Sequence, residues 1–403
     1  LPVFLVAMVT GFGCKPPQTE NETDAGVDAG TTLPDGGNPN NGDGGNPIPD
    51  AGGPPTDGGW YAVSHPSLPQ LTFHNGTVLK NIHLVSVTWS GFEFDSDAQA
   101  FGDGIVSSQW LRAVGSEYGV QSATHVKKVV LTQALPPSLT DADLSSLLAA
   151  RIADGTLPSP ATTTDLVFLV YIPPGVQLDA SAVTHSGPLC GGYYGYHYFG
   201  TYNGTRFPYA ISGDCDSQIT SVTALASHEF IEAVTDSFND GYYIDQPKTD
   251  DWYLYKSFES ADLCQAMPDF SEFGYTLERS WSNAAVAENQ TPCVPIPPGD
   301  VPYSDVSPAS SQVQLVSAGS TVNVQITGWS VASRDAWPVV VTDWPLADFT
   351  TNPQISVSSM NNGDTATVTL TIPADAGIGQ FGSAVVYSGS TQGRYWPITV
   401  ETQ

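Results

Sequence analysis

The sequence predicts an α/β domain of the α+β kind, built on a mixed sheet and followed by an all-β, immunoglobulin-like sandwich. Over residues 60–297 strand-like apolar runs alternate with segments of helical period, and from residue 303 onward only short alternating strands remain. Composition agrees: 39 Gly, 32 Pro, 17 Tyr and 9 Trp stand beside only 12 Lys and Arg, a balance typical of β-rich extracellular chains.

The amino-terminal 59 residues carry no fold signal. Leu1 to Thr10 is an apolar run leading to Gly11-Phe-Gly-Cys14, which reads as a lipoprotein-type signal over residues 1–14 with Cys14 as the lipidated residue. Residues 15–59 are Asp, Gly, Asn, Pro and Thr with little to bury, so this stretch is expected to be a disordered tether. Order begins near Trp60. Leu71–Leu79 reads as a strand, turn and strand entry, and Ile82–Trp89 as a strong β-branched strand. From Asp95 to Tyr118 the period becomes helical, with Phe101, Ile105, Val106, Trp110, Leu111 and Val114 on one face.

Val126–Leu131 is the next strand. Thr140 and Asp143 form a capping-box pattern opening a helix that ends at Gly155, and Leu166–Ile172 is apolar enough for a central strand covered on both faces. A Gly- and Tyr-rich region follows from residue 187, and then Phe207–Ser212, read as an edge strand because of Pro208. A helix spans roughly Ser217–Thr235, burying Val222, Leu225, Phe230, Ile231 and Val234. Residues 294–303 read as a Pro-rich linker. Strands over 313–315, 321–327, 339–342, 365–372, 381–387 and 395–400, parted by Gly, Asn and Asp turns, make the sandwich over 303–403.

The net charge of −29, from 41 acidic and 12 basic residues, argues against a nucleic-acid partner, which needs clustered Lys and Arg. No apolar run reaches the ~18 residues of a membrane span, so membrane contact is expected only through a lipid anchor. Apart from Cys14 there are four cysteines, Cys190, Cys215, Cys264 and Cys293. The even number fits an exported chain, at the outer membrane, on the cell surface or secreted; pairing neighbours, 190 with 215 and 264 with 293, closes the shorter loops.

The chemistry concentrates in Ser227-His-Glu-Phe-Ile-Glu-Ala-Val-Thr-Asp236. Residues four apart share a helix face, so His228 and Glu232 can offer an imidazole and a carboxylate to one ion, while Glu229 projects about 100° away and can act on a water there. This is the spacing of the HExxH zinc helix with glutamate in place of the second histidine, hence a zincin-like reading. The competing reading is an amphipathic helix with acidic residues on its wet face. A catalytic zinc needs three protein ligands. Glu259 is the preferred third ligand, with Asp262 and Asp236 as competitors; Asp236, two turns beyond His228, suits a capping or supporting role. Glu229 is the candidate base, and His197 a candidate oxyanion stabiliser, supporting residue or alternative ligand. One histidine with two carboxylates neutralises a dication, weakening it as a Lewis acid, and also suits Ca2+ or Mn2+ as alternatives to Zn2+.

Two stretches resemble a known family. Phe73-His-Asn-Gly-Thr-Val-Leu-Lys-Asn-Ile-His-Leu-Val-Ser-Val-Thr-Trp-Ser-Gly-Phe92 resembles the opening of the plant EXORDIUM, or phosphate-induced, proteins, and Cys190-Gly-Gly with His197 looks like their cysteine and histidine segment. Bacterial relatives carry an HExxExxTDP helix, an acidic segment before a cysteine, and a Trp-Ser-Asn; the matching stretches here are His228–Ser237, Glu259–Cys264 and Trp281–Asn283. The resemblance covers about residues 70–295. It departs at Ser237, where those relatives have proline, and the plant members lack the His-Glu pair, so the family name by itself licenses no activity.

The function expected is an exported metal-dependent peptidase acting on a peptide or protein substrate. The alternative is a non-enzymatic cell-surface binding or signalling protein with a structural or vestigial metal, contacting glycan or protein through its aromatic 193–208 region.

Overall fold

The computed structural model describes residues 62–180, 188–191, 193–296, 303–345, 347–389 and 394–403. Cys14, the signal-like segment and the 15–59 tether lie outside these residues, as does most of the 294–303 linker. The chain is mixed α/β with several sheets.

The first part is organised on a five-stranded sheet. Its strands are β1 (Asn81–Trp89), β2 (Ser122–Leu131), β3 (Leu166–Ile172), β4 (Gly195–Tyr202) and β5 (Thr205–Gly213), in spatial order β2-β1-β3-β5-β4. Four run parallel and β4 pairs antiparallel to β5. Parallel strands need both faces covered. The alternation of β3 supplies this: Val167, Leu169 and Tyr171 pack with one set of helices, and Phe168, Val170 and Ile172 belong to the cluster on the opposite face.

Helices α1 (Asp95–Ile105), α2 (Gln109–Gly115) and α4 (Ile219–Thr235) cover the first face, and α3 (Asp141–Ala153) covers the second. The helical stretch read as continuous from 95 to 118 is divided, because Ser108 accepts the Leu111 N–H and starts a new helix. The capping box of α3 is present, Thr140 and Asp143 each accepting the other's backbone N–H. Gly155 beyond it takes φ +80°, the left-handed conformation that ends the turn.

One strand assignment is corrected. The strand containing Pro208 is interior, not an edge; the edge is β4, which the Gly- and Tyr-rich segment forms. Proline is tolerated there because the ladder with β3 begins only at Tyr209, so on that side the missing N–H has no partner to lose.

The last part contains two sheets, one of four strands and one of five. Their inward residues, including Val306, Ile326, Val368, Leu370, Val386, Ile398 and Val400, make one apolar cluster. Ser304–Pro308, given no strand by the sequence pattern, is a strand of the four-stranded sheet. Another cluster joins the two parts of the chain: Trp252, Tyr255 and Phe258 pack with Trp344, Tyr395 and Trp396. Cys190 is bonded to Cys215 and Cys264 to Cys293. Among the described residues no helix is long and apolar enough to cross a membrane.

Candidate metal centre

Helix α4 places its polar residues inside the protein. His228, Glu229 and Glu232 are 7%, 2% and 1% exposed, so the acidic face is not a wet one. Val222, Phe230, Ile231 and Val234 are buried as expected, while Leu225 is only partly so. Burying such charges needs compensation from hydrogen bonds, neighbouring charge or a cation.

The compensation comes from two segments that fold over the helix. The loop leading into the short helical turn Asp262–Cys264 wraps Glu232, whose Oε1 accepts the N–H groups of Ala261 and Asp262, both at 3.2 Å. The disulfide from Cys264 fixes the end of that loop. The hairpin formed by Phe270–Glu272 and Tyr275–Leu277 brings Glu278 alongside, and Glu278 donates its N–H to Ser227 Oγ at 2.9 Å. Its carboxylate then meets His228 Nδ1 at 2.8 Å, which leaves Nε2 facing the cluster.

Around His228 Nε2 stand Glu232 Oε2 at 3.3 Å and Asp262 Oδ1 at 3.5 Å. Ligands about 2.0–2.2 Å from a tetrahedral zinc stand about 3.3–3.6 Å from one another, a range that includes both separations from Nε2. Of the three candidates for the third position, the structure brings Asp262 to this group. Glu259 lies on the other side of Glu232, its Oε2 3.5 Å from His197 Nε2. The difference is one of direction: Asp262 opens the helical turn and stands by His228, whereas Glu259 precedes the turn and stands by His197. Asp236 ends α4 and uses Oδ1 to accept the Asp240 and Gly241 N–H groups, each at 2.6 Å. A side chain at Gly241 would put Cβ 2.2 Å from the Thr235 carbonyl oxygen, so the turn after the helix requires glycine.

His197, on β4, points to the same face as α4, since its neighbour Tyr196 packs on the opposite one. Its Nδ1 is 3.7 Å from both Glu229 Oε2 and Glu232 Oε2. The site therefore joins His197, Glu229, Glu232, His228, Asp262 and Glu259 in one buried group. The sequence did not single out Glu278; it is fifty positions from its partner histidine, and no local spacing marks it.

The electrostatics are those of crowded carboxylates. Burial, then the Asp262 carboxylate, pushes Glu232 up to about 7, with His228 pulling the other way. Burial and the carboxylates of Asp236 and Glu232 push Glu259 well above the usual range. Burial alone would lower His228, but Glu232 and Glu278 hold it well above an ordinary imidazole; at His197 the Glu229 and Glu232 carboxylates likewise outweigh burial. The aromatic 193–208 region offers a limited surface: Tyr193, Tyr196 and Phe207 are core residues, and Tyr194 is the ring most open to solvent.

No protein-family model matches the chain, and no curated protein matches it. Among solved structures, domains 5–6 of the S-layer protein SbsC align at 18% identity over 25% of this chain and 42% of that one, with a TM-score of 0.19. A family 123 glycoside hydrolase from Clostridium perfringens aligns at 15% identity over 22% and 21%, with a TM-score of 0.17. A nucleoside hydrolase-related protein from Saccharophagus degradans aligns at 10% identity over 80% and 100%, with a TM-score of 0.25. The chain spans less than half the length of the first two, and likenesses this slight carry no argument about its chemistry.

Proposed function

We propose that this chain is an exported, metal-dependent hydrolase of peptide bonds with a zincin-like site. The observation that carries the reading is the presentation of His228: Glu278 fixes Nδ1, and Nε2 faces carboxylate oxygens of Glu232 and Asp262 at ligand spacing. These three residues would hold the cation, which supplies polarisation of the scissile carbonyl and a more acidic water. Zn2+ heads the candidates, and the oxygen-rich set also suits Mn2+ or Ca2+.

Glu229 is adjacent to His228 in the helix and is buried beside the ligands, where its carboxylate can take a proton from the attacking water. His197 stands opposite, and its Nε2–H is the group that would donate to a developing oxyanion. A peptide substrate is favoured by β4: it is the edge of the sheet, and an edge strand next to the site offers unpaired backbone groups with which an extended peptide can pair. The resemblance to bacterial EXORDIUM relatives supports the ligand helix, and the immunoglobulin-like sandwich is read as a module that holds the enzyme near its target.

The test compares wild type with Glu229→Gln on a mixed peptide library, with metal content measured in both. Glu229→Gln is expected to lower cleavage by about 10²–10⁴-fold while a cation remains bound. Metal-free wild type, or cleavage unaffected by the substitution, would contradict the proposal.

A further inference from the structure

His197 is 93% buried by its 7% exposure, yet neither ring nitrogen makes a hydrogen bond. The carboxylate oxygens around it stand at 3.5–3.7 Å, too far for hydrogen bonds. The ring is held by charge attraction alone, at separations that leave room between it and the carboxylate oxygens. The separations have a simple reading. Ligands about 2.1 Å from a common centre, at angles of about 120°, stand about 3.6 Å apart, so the Nδ1 and carboxylate positions span the width of a bound ion.

Two such ligand groups are present, His228 with Glu232 and Asp262, and His197 with Glu229 and Glu232. They share not merely Glu232 but the same atom: Oε2 is 3.3 Å from His228 Nε2 and 3.7 Å from His197 Nδ1. A carboxylate oxygen common to two ligand groups is the arrangement of a two-metal site, whose ions lie about 3.5–4 Å apart. The donors point the same way. Glu229, Glu232, Glu259 and Asp262 crowd two imidazoles in a buried space, a donor set rich in oxygen for one ion.

We propose that the chain binds a second divalent cation through His197 Nδ1, Glu229 Oε2 and Glu232 Oε2, bridged by Glu232 to the cation held by His228 and Asp262. The proposal rests on the first cation position described above, because Glu232 is the bridge. Binding through Oε2 alone leaves Glu229 Oε1 open to accept a proton, so its part in hydrolysis is compatible with this role. The donor set, one nitrogen and two carboxylates, suits Mn2+ or Zn2+.

Mn2+ alone is the probe, added to the chelator-treated full chain, with unbound ion removed and manganese counted per chain. Wild type is expected to retain two ions and to give the electron paramagnetic resonance signal of an exchange-coupled pair; His197→Ala is expected to retain one, with the six-line signal of an isolated ion. Far-UV circular dichroism and a thermal melt establish that the variant is folded, and if it is not, the coupled signal of wild type decides alone. One isolated ion in both proteins overturns the second site and leaves the first standing. No bound ion in either overturns both. Two ions in His197→Ala, or two uncoupled ions in wild type, overturn the bridged assignment.

Discussion

Glu278 decides how His228 is presented. Without its carboxylate on Nδ1 the imidazole could turn or take the other tautomer, and Nε2 would no longer be held toward Glu232 and Asp262. Glu278→Gln is therefore expected to weaken cation binding by about 10–100-fold, read by metal titration of the folded protein. Asp262→Asn should lower occupancy of the His228 position, whereas Glu259→Gln should leave it, and metal analysis of the two variants separates the ligand from its neighbour. Glu259 and Asp262 also show the limit of residue-level reading. Helix spacing fixes His228 against Glu232, because the backbone there is regular, but two acids three positions apart on an irregular loop differ in direction in a way spacing does not encode. Glu278 was hidden for the related reason that only tertiary packing of a hairpin brings it near.

At the level of elements, patterns with a strong local cause were legible. The apolar run of β3, the capped start of α3 and the helical stretch of α4 all stand where their residues place them. Thr140→Ala removes one side of the α3 capping box and should cost about 1 kcal/mol, measurable in denaturant unfolding. What misled was proline. Pro208 suggested an edge, yet a strand interior to a sheet can hold a proline where one neighbour's ladder has not begun. The actual edge, β4, was obscured by glycines and tyrosines that look like loop composition, although Tyr196 and its neighbours alternate correctly between core and site.

Across the whole molecule, the shared aromatic cluster makes the two parts of the chain one packing unit. Trp252 touches Tyr255, Trp281, Tyr395 and Trp396, so Trp252→Ala should cost about 3–5 kcal/mol and lower a single calorimetric transition rather than one of two. Asp251, beside it, accepts the Thr399 N–H at 3.0 Å across the same contact. Burial pushes this carboxyl up to about 7 from an ordinary 3.8. Its folded form thus favours the neutral acid: the contribution to stability is full below pH about 4 and is lost as pH rises through about 7. Asp251→Asn, neutral throughout, is expected to flatten that part of the stability profile and to melt higher than wild type at pH 8. None of this partnership was visible in the sequence, which marks the two halves by different periods and is silent on what lies between them.

The bond between Cys264 and Cys293 has a consequence for when the molecule can act. It anchors the loop that presents Asp262, whereas His228 and Glu232 are supplied by a helix that needs no such tie. A chain kept under reducing conditions would own two of its ligands and hold the third on an untethered segment. On the proposed reading, the cation site would then be complete only after this bond has formed, in a compartment where thiols are converted to disulfides.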